Sequence, residues 1–309
     1  MKRYCGRMDV VVTGGTGFVG REVVRQLVRT GHRVRTLSRN GGSSAPGVTG
    51  FRGSILQPST AAPAFEGAQA VIHLVGIIAE LKDQTFSHVH QEGTEAALEA
   101  ARQAGIQRFV HMSALGTRPN AVSRYHQTKW AAEERVRNSG LAWTVFRPSL
   151  IYGPGDGFVN LFDRMARWSP VLPVIGSGMS QVQPVAVEDV ARAFTQALIR
   201  PECHQRTLDL CGPDALPFRD LLRLILKVSH RHRMVLPLPL PWARLQALIM
   251  EWAFPQLLGV ASPLTRDQIL MLQENNIGDP RPAGLLLDWT PCPLQAGLER
   301  MLSPGKSSP

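Results

Sequence analysis

The sequence of 309 residues predicts an α/β protein, with a doubly wound parallel sheet and a smaller, mainly C-terminal α/β substrate lobe. Three observations predict it. Short runs of β-forming residues alternate with helical patterns over residues 1–147, as they do in a parallel sheet. A glycine-rich turn joins the first of these strands to the first helix. After Pro148 prolines become dense and the alternation stops, which indicates that a second lobe begins there.

The predicted elements follow one another at short intervals. We predict strands at 10–13, 33–37, 70–75, 109–112 and 142–146, and helices at 17–29, 92–104, 125–138 and 190–198. The chain is expected to rejoin the first domain at about residues 184–199. The domains are then 1–147 and 148–302, and the small polar tail at 303–309 is expected to be disordered.

The strongest motif is the stretch from Thr13 to Gly20, TGGTGFVG, between an apolar strand and an amphipathic helix. Gly14 permits the sharp turn, Gly17 lets the backbone approach a pyrophosphate, and Gly20 allows the helix to pack closely on the strand. The N–H groups and the positive end of the helix dipole would then face the phosphates. The motif predicts a Rossmann dinucleotide site with contacts from Gly14, Thr16, Gly17, Phe18, Val19 and Gly20.

The end of the second predicted strand indicates which dinucleotide binds. Proteins that bind NAD usually carry a carboxylate there, which holds the ribose 2′-hydroxyl. This chain has Ser38, Arg39 and Asn40 instead. Arg39 could pair with a 2′-phosphate and Ser38 could donate a hydrogen bond to it, so we predict NADP(H). The alternative is that Arg39 is an ordinary surface arginine.

Tyr125 and Lys129 are spaced four residues apart at the start of a predicted helix, so their side chains share one face. A lysine cation beside a phenol lowers the pKa of the tyrosine, which can then act as a general acid or base. The lysine can also bind the nicotinamide ribose. Ser113 directly follows the preceding predicted strand, as a dehydrogenase site of this type would need. A purely structural Tyr–Lys pair is the alternative.

These motifs resemble the atypical and extended short-chain dehydrogenases. The resemblance extends to two further stretches, FRPSLIYGPGD at 146–156 and PVAVEDVA at 184–191. Within this family, the chain most resembles the NADPH-binding accessory subunit of respiratory complex I and its bacterial relatives, through the stretches LPLPLPWARLQALIMEW and PLTRDQILMLQ. The resemblance implies Tyr125, Lys129 and Ser113 as catalytic residues. It implies further cofactor contacts at Val75, Gly76, Lys129, Arg147 and Pro148.

The resemblance also has departures. One alignment register puts Ala114, rather than Ser113, at the catalytic serine position, and Ser54 stands where the family has an aspartate near the adenine. The sequence therefore predicts an NADP(H)-dependent oxidoreductase that acts on the carbonyl or hydroxyl of an unidentified small molecule, with a quinone or respiratory-chain link. The alternatives are a non-catalytic NADPH-loaded accessory or assembly factor of a membrane complex, and a nucleotide-sugar epimerase or dehydratase.

Composition bounds where the protein acts and what it binds. The net charge of +10 is compatible with an anionic membrane surface or anionic ligands, but the arginines are dispersed and no nucleic acid is expected. The chain start lacks the pattern of a signal peptide, and four scattered cysteines fit a reducing compartment. We expect a cytoplasmic protein. The apolar stripe at 242–252 is expected to pack in the core of the substrate lobe. The alternative is an interfacial helix or quinone-site wall, which would hold the protein at the inner face of the membrane. The spacing of the histidines predicts no metal site.

Overall fold

The computed structural model describes residues 6–42 and 45–302, and its centre is a parallel sheet of seven strands. The predicted tail at 303–309 and Cys5 lie outside the described residues. The sheet strands are β1 (Asp9–Thr13), β2 (Arg33–Ser38), β3 (Val48–Arg52), β4 (Ala70–His73), β5 (Arg108–Met112), β6 (Ala142–Pro148) and β11 (Arg206–Leu210). They lie in the order β3-β2-β1-β4-β5-β6-β11, and every pair is parallel. The predicted fold class is confirmed.

Helices cover both faces of the sheet. The helices are α1 (Phe18–Arg29), α2 (Pro58–Phe65), α3 (Gly93–Gln103), α4 (Arg124–Arg137), α5 (Val159–Trp168), α6 (Val187–Leu198), α7 (Phe218–Val228), α8 (Leu240–Ala253), α9 (Arg266–Gln273), α10 (Arg281–Leu287) and α11 (Leu294–Leu302). One core lies between the sheet and α1 and α6, and a second lies between the sheet and α2 and α3. The buried strand residues are mostly β-branched or aromatic, which suits a sheet covered on both faces.

The chain after Pro148 adds short strands around a third core. These strands are β7 (Ile151–Tyr152), β8 (Val171–Ile175), β9 (Gln181–Val182), β10 (Val185–Ala186), β12 (Leu216–Pro217) and β13 (Met234–Leu238). The third core forms where α7 packs against α5 and α11. Two elements from this half belong to the main sheet and its cover: α6 packs on α1, and β11 forms the edge beside β6. None of the helices in the described ranges is long and apolar enough to cross a membrane.

Candidate active site and dinucleotide cleft

The direction of the strand order reverses between β1 and β4, and the loops that follow these two strands meet there. A Cβ placed on Gly14 would lie 3.2 Å from the backbone nitrogen of Val75. In doubly wound sheets, ligands bind at the carboxyl ends of the strands at such a reversal. The sheet therefore places a cleft directly beside the glycine motif.

The glycine motif forms a tight turn that opens the first helix. Gly14 has a φ of +76°, which favours glycine, and its carbonyl accepts a hydrogen bond of 3.0 Å from the N–H of Gly17. A side chain at Gly20 would collide with the carbonyl oxygen of Gly14, so the helix needs glycine there to approach the turn. The first turn of α1 has no side-chain cap and no acidic residue, and its N–H groups remain available for phosphate oxygens.

A cavity of about 320 Å³ lies at this turn and brings together seven of the sequence-predicted cofactor contacts. They are Gly14, Thr16, Gly17, Ser38, Arg39, Val75 and Gly76. Ser54 lines the same cavity, and none of its described lining residues is an aspartate or glutamate. The hydroxyl of Ser38 is buried without a hydrogen-bond partner in the described chain. An unpaired buried hydroxyl is costly, so a ligand that accepts a hydrogen bond from it fits this cavity. These features fit a nicotinamide dinucleotide.

The remaining predicted contacts lie around the cavity rather than in its wall. Val19 is buried in the core between the sheet and α1, and Gly20 provides the close helix–turn contact. Phe18 extends toward Gly153. Arg147 and Pro148 end β6, where the Arg147 guanidinium is bound by a buried carboxylate. Cofactor contact stays a prediction for all thirteen residues, including the seven in the cavity wall.

Helix α4 positions Tyr125 and Lys129. Ser123 is its N-cap and accepts a hydrogen bond from the N–H of His126. One turn further on, the ammonium of Lys129 is buried and donates a hydrogen bond of 3.1 Å to the carbonyl of Met112 at the end of β5. A Cβ on Gly76 would lie 3.0 Å from the same ammonium. Lys129 thus connects α4 with the cleft.

The ring of Tyr125 packs edge-on against three other rings. Its centroid lies 5.9 Å from that of Phe86, 5.4 Å from that of His90 and 5.3 Å from that of His126. Burial raises the pKa of Tyr125 to about 12, whereas the sequence predicted that Lys129 would lower it. Desolvation sets the direction of this shift, because burial penalises the phenolate. A phenol that keeps its proton at neutral pH is suited to act as a general acid.

The ionisation of Lys129 is also shifted by its surroundings. Burial lowers the pKa of Lys129 to about 8, and the negative charge of Glu133, one helical turn away, opposes that shift. His90, which faces Tyr125, is held neutral because burial lowers its pKa to about 2. Its ring nitrogens contact the Thr128 hydroxyl and the Ile77 backbone. The neutral His90 therefore adds no positive charge beside the ring of Tyr125.

Ser113 follows β5 and is almost fully buried. Its N–H donates to the carbonyl of Phe146 over 2.8 Å, and its hydroxyl donates to the hydroxyl of Thr117 over 3.4 Å. Its neighbour Ala114, the alternative in the sequence alignment, is partly exposed. The structure thus places the Ser113 hydroxyl in a polar contact of its own, and its role toward a substrate stays a prediction.

A second cavity, of about 440 Å³, adjoins the start of α4 and was not predicted from the sequence. Its wall includes Phe86, Arg124 and Asp267. The carboxylate of Asp267, from α9, accepts hydrogen bonds from the backbone N–H groups of Arg124 (2.7 Å) and Tyr125 (3.1 Å). A residue 142 positions away therefore holds the backbone of Tyr125. The local sequence TRDQ indicates only a helix start, and a capping box forms there.

Glu133, on α4, is another carboxylate near the site that the sequence analysis did not single out. Its carboxylate is fully buried and accepts hydrogen bonds of 2.9 and 2.7 Å from Arg147, as well as an ion pair from Arg137. Both guanidinium groups also lie over the ring of Trp130. This cluster ties α4 to the end of β6 and keeps a negative charge below Lys129.

Comparison with known proteins agrees with this geometry. Residues 14–168 match the family model described as NAD(P)H-binding. The chain belongs to this NAD(P)H-binding family. It is 31% identical over 277 residues to the mitochondrial NADH dehydrogenase [ubiquinone] 1 alpha subcomplex subunit 9 of Arabidopsis thaliana, over 86% of this chain and 68% of that protein. The predicted resemblance to the complex I accessory subunit is confirmed.

Two bacterial reductases are also similar to this NAD(P)H-binding protein. Ceramide reductase of Caulobacter vibrioides is 40% identical over 190 residues, which cover 59% of this chain and 58% of that protein. The chain therefore spans less than two thirds of that relative. The 2-alkyl-3-oxoalkanoate reductase of Stenotrophomonas maltophilia is 29% identical over 292 residues, 84% of this chain and 87% of that protein.

Solved structures agree on the fold. The UDP-glucose 4-epimerase of Thermotoga maritima superimposes with a TM-score of 0.75 at 21% identity, covering 96% of this chain and 97% of that one. At that identity the likeness establishes the Rossmann architecture of the epimerases and dehydratases and does not extend to their substrates. NAD(P) is thus the cofactor class of this family, on an epimerase-like fold with reductases and a complex I subunit among its homologues.

Proposed function

We propose that this protein is an NADP(H)-dependent oxidoreductase that reduces or oxidises a carbonyl or hydroxyl group on a long-chain lipid. NADP(H) would supply the hydride. Tyr125 would exchange a proton with the substrate oxygen, Lys129 would hold the ribose and keep positive charge near the phenol, and Ser113 would polarise the substrate. The observation that carries the proposal is that α4 begins at the 440 Å³ cavity, which Arg124 lines, and extends Lys129 to Gly76 in the dinucleotide cleft. Tyr125 lies next to Arg124 on this helix.

The relatives support the lipid part of the proposal. The two bacterial relatives named as reductases act, by their names, on a ceramide and on an alkyl-branched oxoalkanoate, and both compounds carry alkyl chains. The 440 Å³ cavity beside the start of α4 combines apolar Val122, Pro255 and Leu270 with charged side chains. Such a mixed wall suits a substrate with a polar head and an apolar chain.

Arg39 is proposed to select NADP(H). We expect Arg39→Ala to weaken NADPH binding by about 10- to 100-fold and to leave NADH binding unchanged, because only NADPH carries the 2′-phosphate that Arg39 would pair with. Fluorescence titration with both nucleotides measures this. Arg29→Ala, which removes the same charge at the far end of α1, is the matched control. Equal loss of affinity for both nucleotides would contradict the assignment.

The reaction is tested with purified protein and one defined probe. We expect the protein to release NADP(H), detected by mass spectrometry, and to oxidise added NADPH in the presence of a long-chain 2-alkyl-3-oxoalkanoate in mild detergent. The nucleotide should exchange readily, as turnover requires. If NADPH is retained tightly and neither exchanges nor is oxidised with this probe, the oxidoreductase proposal is wrong.

A second candidate function is a non-catalytic, NADPH-loaded subunit or assembly factor at a membrane complex with a respiratory or quinone link. Its support is the buried Ser113 hydroxyl, which already contacts Thr117, and the similarity to a complex I subunit over most of this chain. Under this candidate, the bound nucleotide would stabilise the fold. Tight retention without turnover is the result that would favour it.

A further inference from the structure

The helix α8 has an unusual distribution of side chains. The residues that it buries are both small: Ala243 and Ala247 are completely enclosed and pack in a cluster with Ile269. Its large apolar residues point the other way. At 100° per residue the exposed apolar stripe lies about 180° from the two alanines, and it consists of Trp242, Leu245, Leu248, Ile249 and Trp252.

The exposed apolar surface continues past the end of α8. Trp242 and Trp252 are 65% and 67% exposed, and Leu257, Leu258 and Val260 in the following turn are exposed as well. We call the five exposed side chains of α8 and these three the apolar face. A contiguous surface of this kind marks an interaction site rather than ordinary surface, where apolar residues are scattered singly.

Almost no charge interrupts the apolar face. Residues 234–262 contain only two charged side chains, Arg244 and Glu251. The carboxylate of Glu251 is paired with Arg266 over 2.7 Å, and it also accepts a hydrogen bond from the backbone N–H of Arg266. The remaining charge on the helix is the cation of Arg244. The apolar face therefore carries little charge, whereas the whole protein has a net charge of +10.

We propose that the apolar face docks on an anionic phospholipid surface, with α8 lying in the plane of the headgroups. Tryptophans at both ends of the stripe suit the membrane interface, where an apolar ring and a polar N–H are both satisfied. The net positive charge attracts the protein to anionic lipid, and the apolar face then enters the outer acyl region. This docking surface goes beyond the proposed reaction and does not depend on it.

Docking would also bring lipid to the second cavity. Glu251, Pro255 and Ser262 belong to the same stretch of chain as the apolar face and form part of the cavity wall near Arg124. A lipid-borne substrate held at the headgroup level would therefore meet the cavity opening without crossing water. Membrane docking and the lipid class of the substrate are in this way compatible but separately testable.

Vesicle flotation with the full chain tests the proposal. We expect binding to vesicles of phosphatidylcholine with phosphatidylglycerol, weaker binding to pure phosphatidylcholine, and a loss of affinity of about tenfold per tryptophan in the double variant Trp242→Ser, Trp252→Ser. The control is Trp168→Ser, which removes an exposed tryptophan before β8, whereas α8 packs near Ile175 at the other end of that strand. NADPH titration of each variant verifies the fold without reference to lipid.

Bromine-labelled lipid provides a readout on the unmodified protein. We expect it to quench the fluorescence of the wild-type protein and to quench the double variant less. The proposal is overturned if the wild-type protein fails to float with either vesicle, or if the folded double variant floats as well as the wild type. It is also overturned if size-exclusion chromatography shows a dimer that the double variant abolishes while vesicles bind neither protein, since the occupant is then a second copy.

Discussion

Replacing Tyr125 with phenylalanine is expected to lower NADPH-dependent turnover by about 10²- to 10⁴-fold, because the substrate oxygen loses its proton donor. The ring contacts with Phe86, His90 and His126 do not involve the hydroxyl, so packing is retained. NADPH affinity should stay within about twofold of the wild type, since the ammonium of Lys129 keeps its bond to Met112. Stopped-flow measurement of NADPH oxidation and fluorescence titration give the two values.

The comparison with a second variant identifies the origin of the effect. Lys129→Met removes the buried ammonium beside Gly76, and it should weaken both NADPH binding and turnover. If Tyr125→Phe keeps full turnover with the oxoalkanoate probe, proton transfer by this tyrosine is excluded and the accessory-subunit candidate gains support. If both variants lose nucleotide binding equally, Tyr125 acts through the fold of α4.

The second large effect is expected for Glu133→Gln, which should destabilise the protein by about 3–5 kcal/mol. The neutral amide leaves the guanidinium of Arg147 without its buried counter-charge and weakens the pair with Arg137. The variant also removes the charge that raises the pKa of Lys129, so that pKa should fall further below its ordinary value. Urea unfolding, monitored by tryptophan fluorescence, measures the change in the free energy of unfolding.

A neighbouring residue provides the matched control. Glu134 also pairs with Arg137, but it lies on the solvent side of α4. Glu134→Gln should therefore change the free energy of unfolding by less than about 1 kcal/mol. If the two variants have equal free energies of unfolding, burial does not make the ion pairs of Glu133 more stabilising than the exposed pair of Glu134.

The parts of the fold that the sequence predicted are those with strong local signals. Continuous apolar runs located β1 and β4, and the glycine motif located the turn between β1 and α1. The strand β3 was missed because it is a half-exposed edge strand with Gly50 at its centre, and α2 was missed because it contains two prolines. Both segments depend on packing against their neighbours more than on their own propensity.

The site shows the same division between local and long-range information. The spacing of Tyr125 and Lys129 within one helix is visible in the sequence, as is the absence of an acidic residue after β2. The hydrogen bonds from Tyr125 to Asp267, and from Arg147 to Glu133, join residues from different elements. No spacing rule brings such partners together. The raised pKa of Tyr125 has the same origin, because burial is a property of the assembled fold.

The edge strand β11 has a consequence for how the chain folds as it leaves the ribosome. The glycine motif and the first six strands of the sheet are synthesised early, but the sheet gains its last strand only after residue 210 has emerged. The core around α1 also waits for Trp289, whose indole N–H donates to the carbonyl of Asp189 over 2.9 Å. Until then the nascent sheet exposes an unpaired edge and apolar surface, which is the condition under which chaperones act.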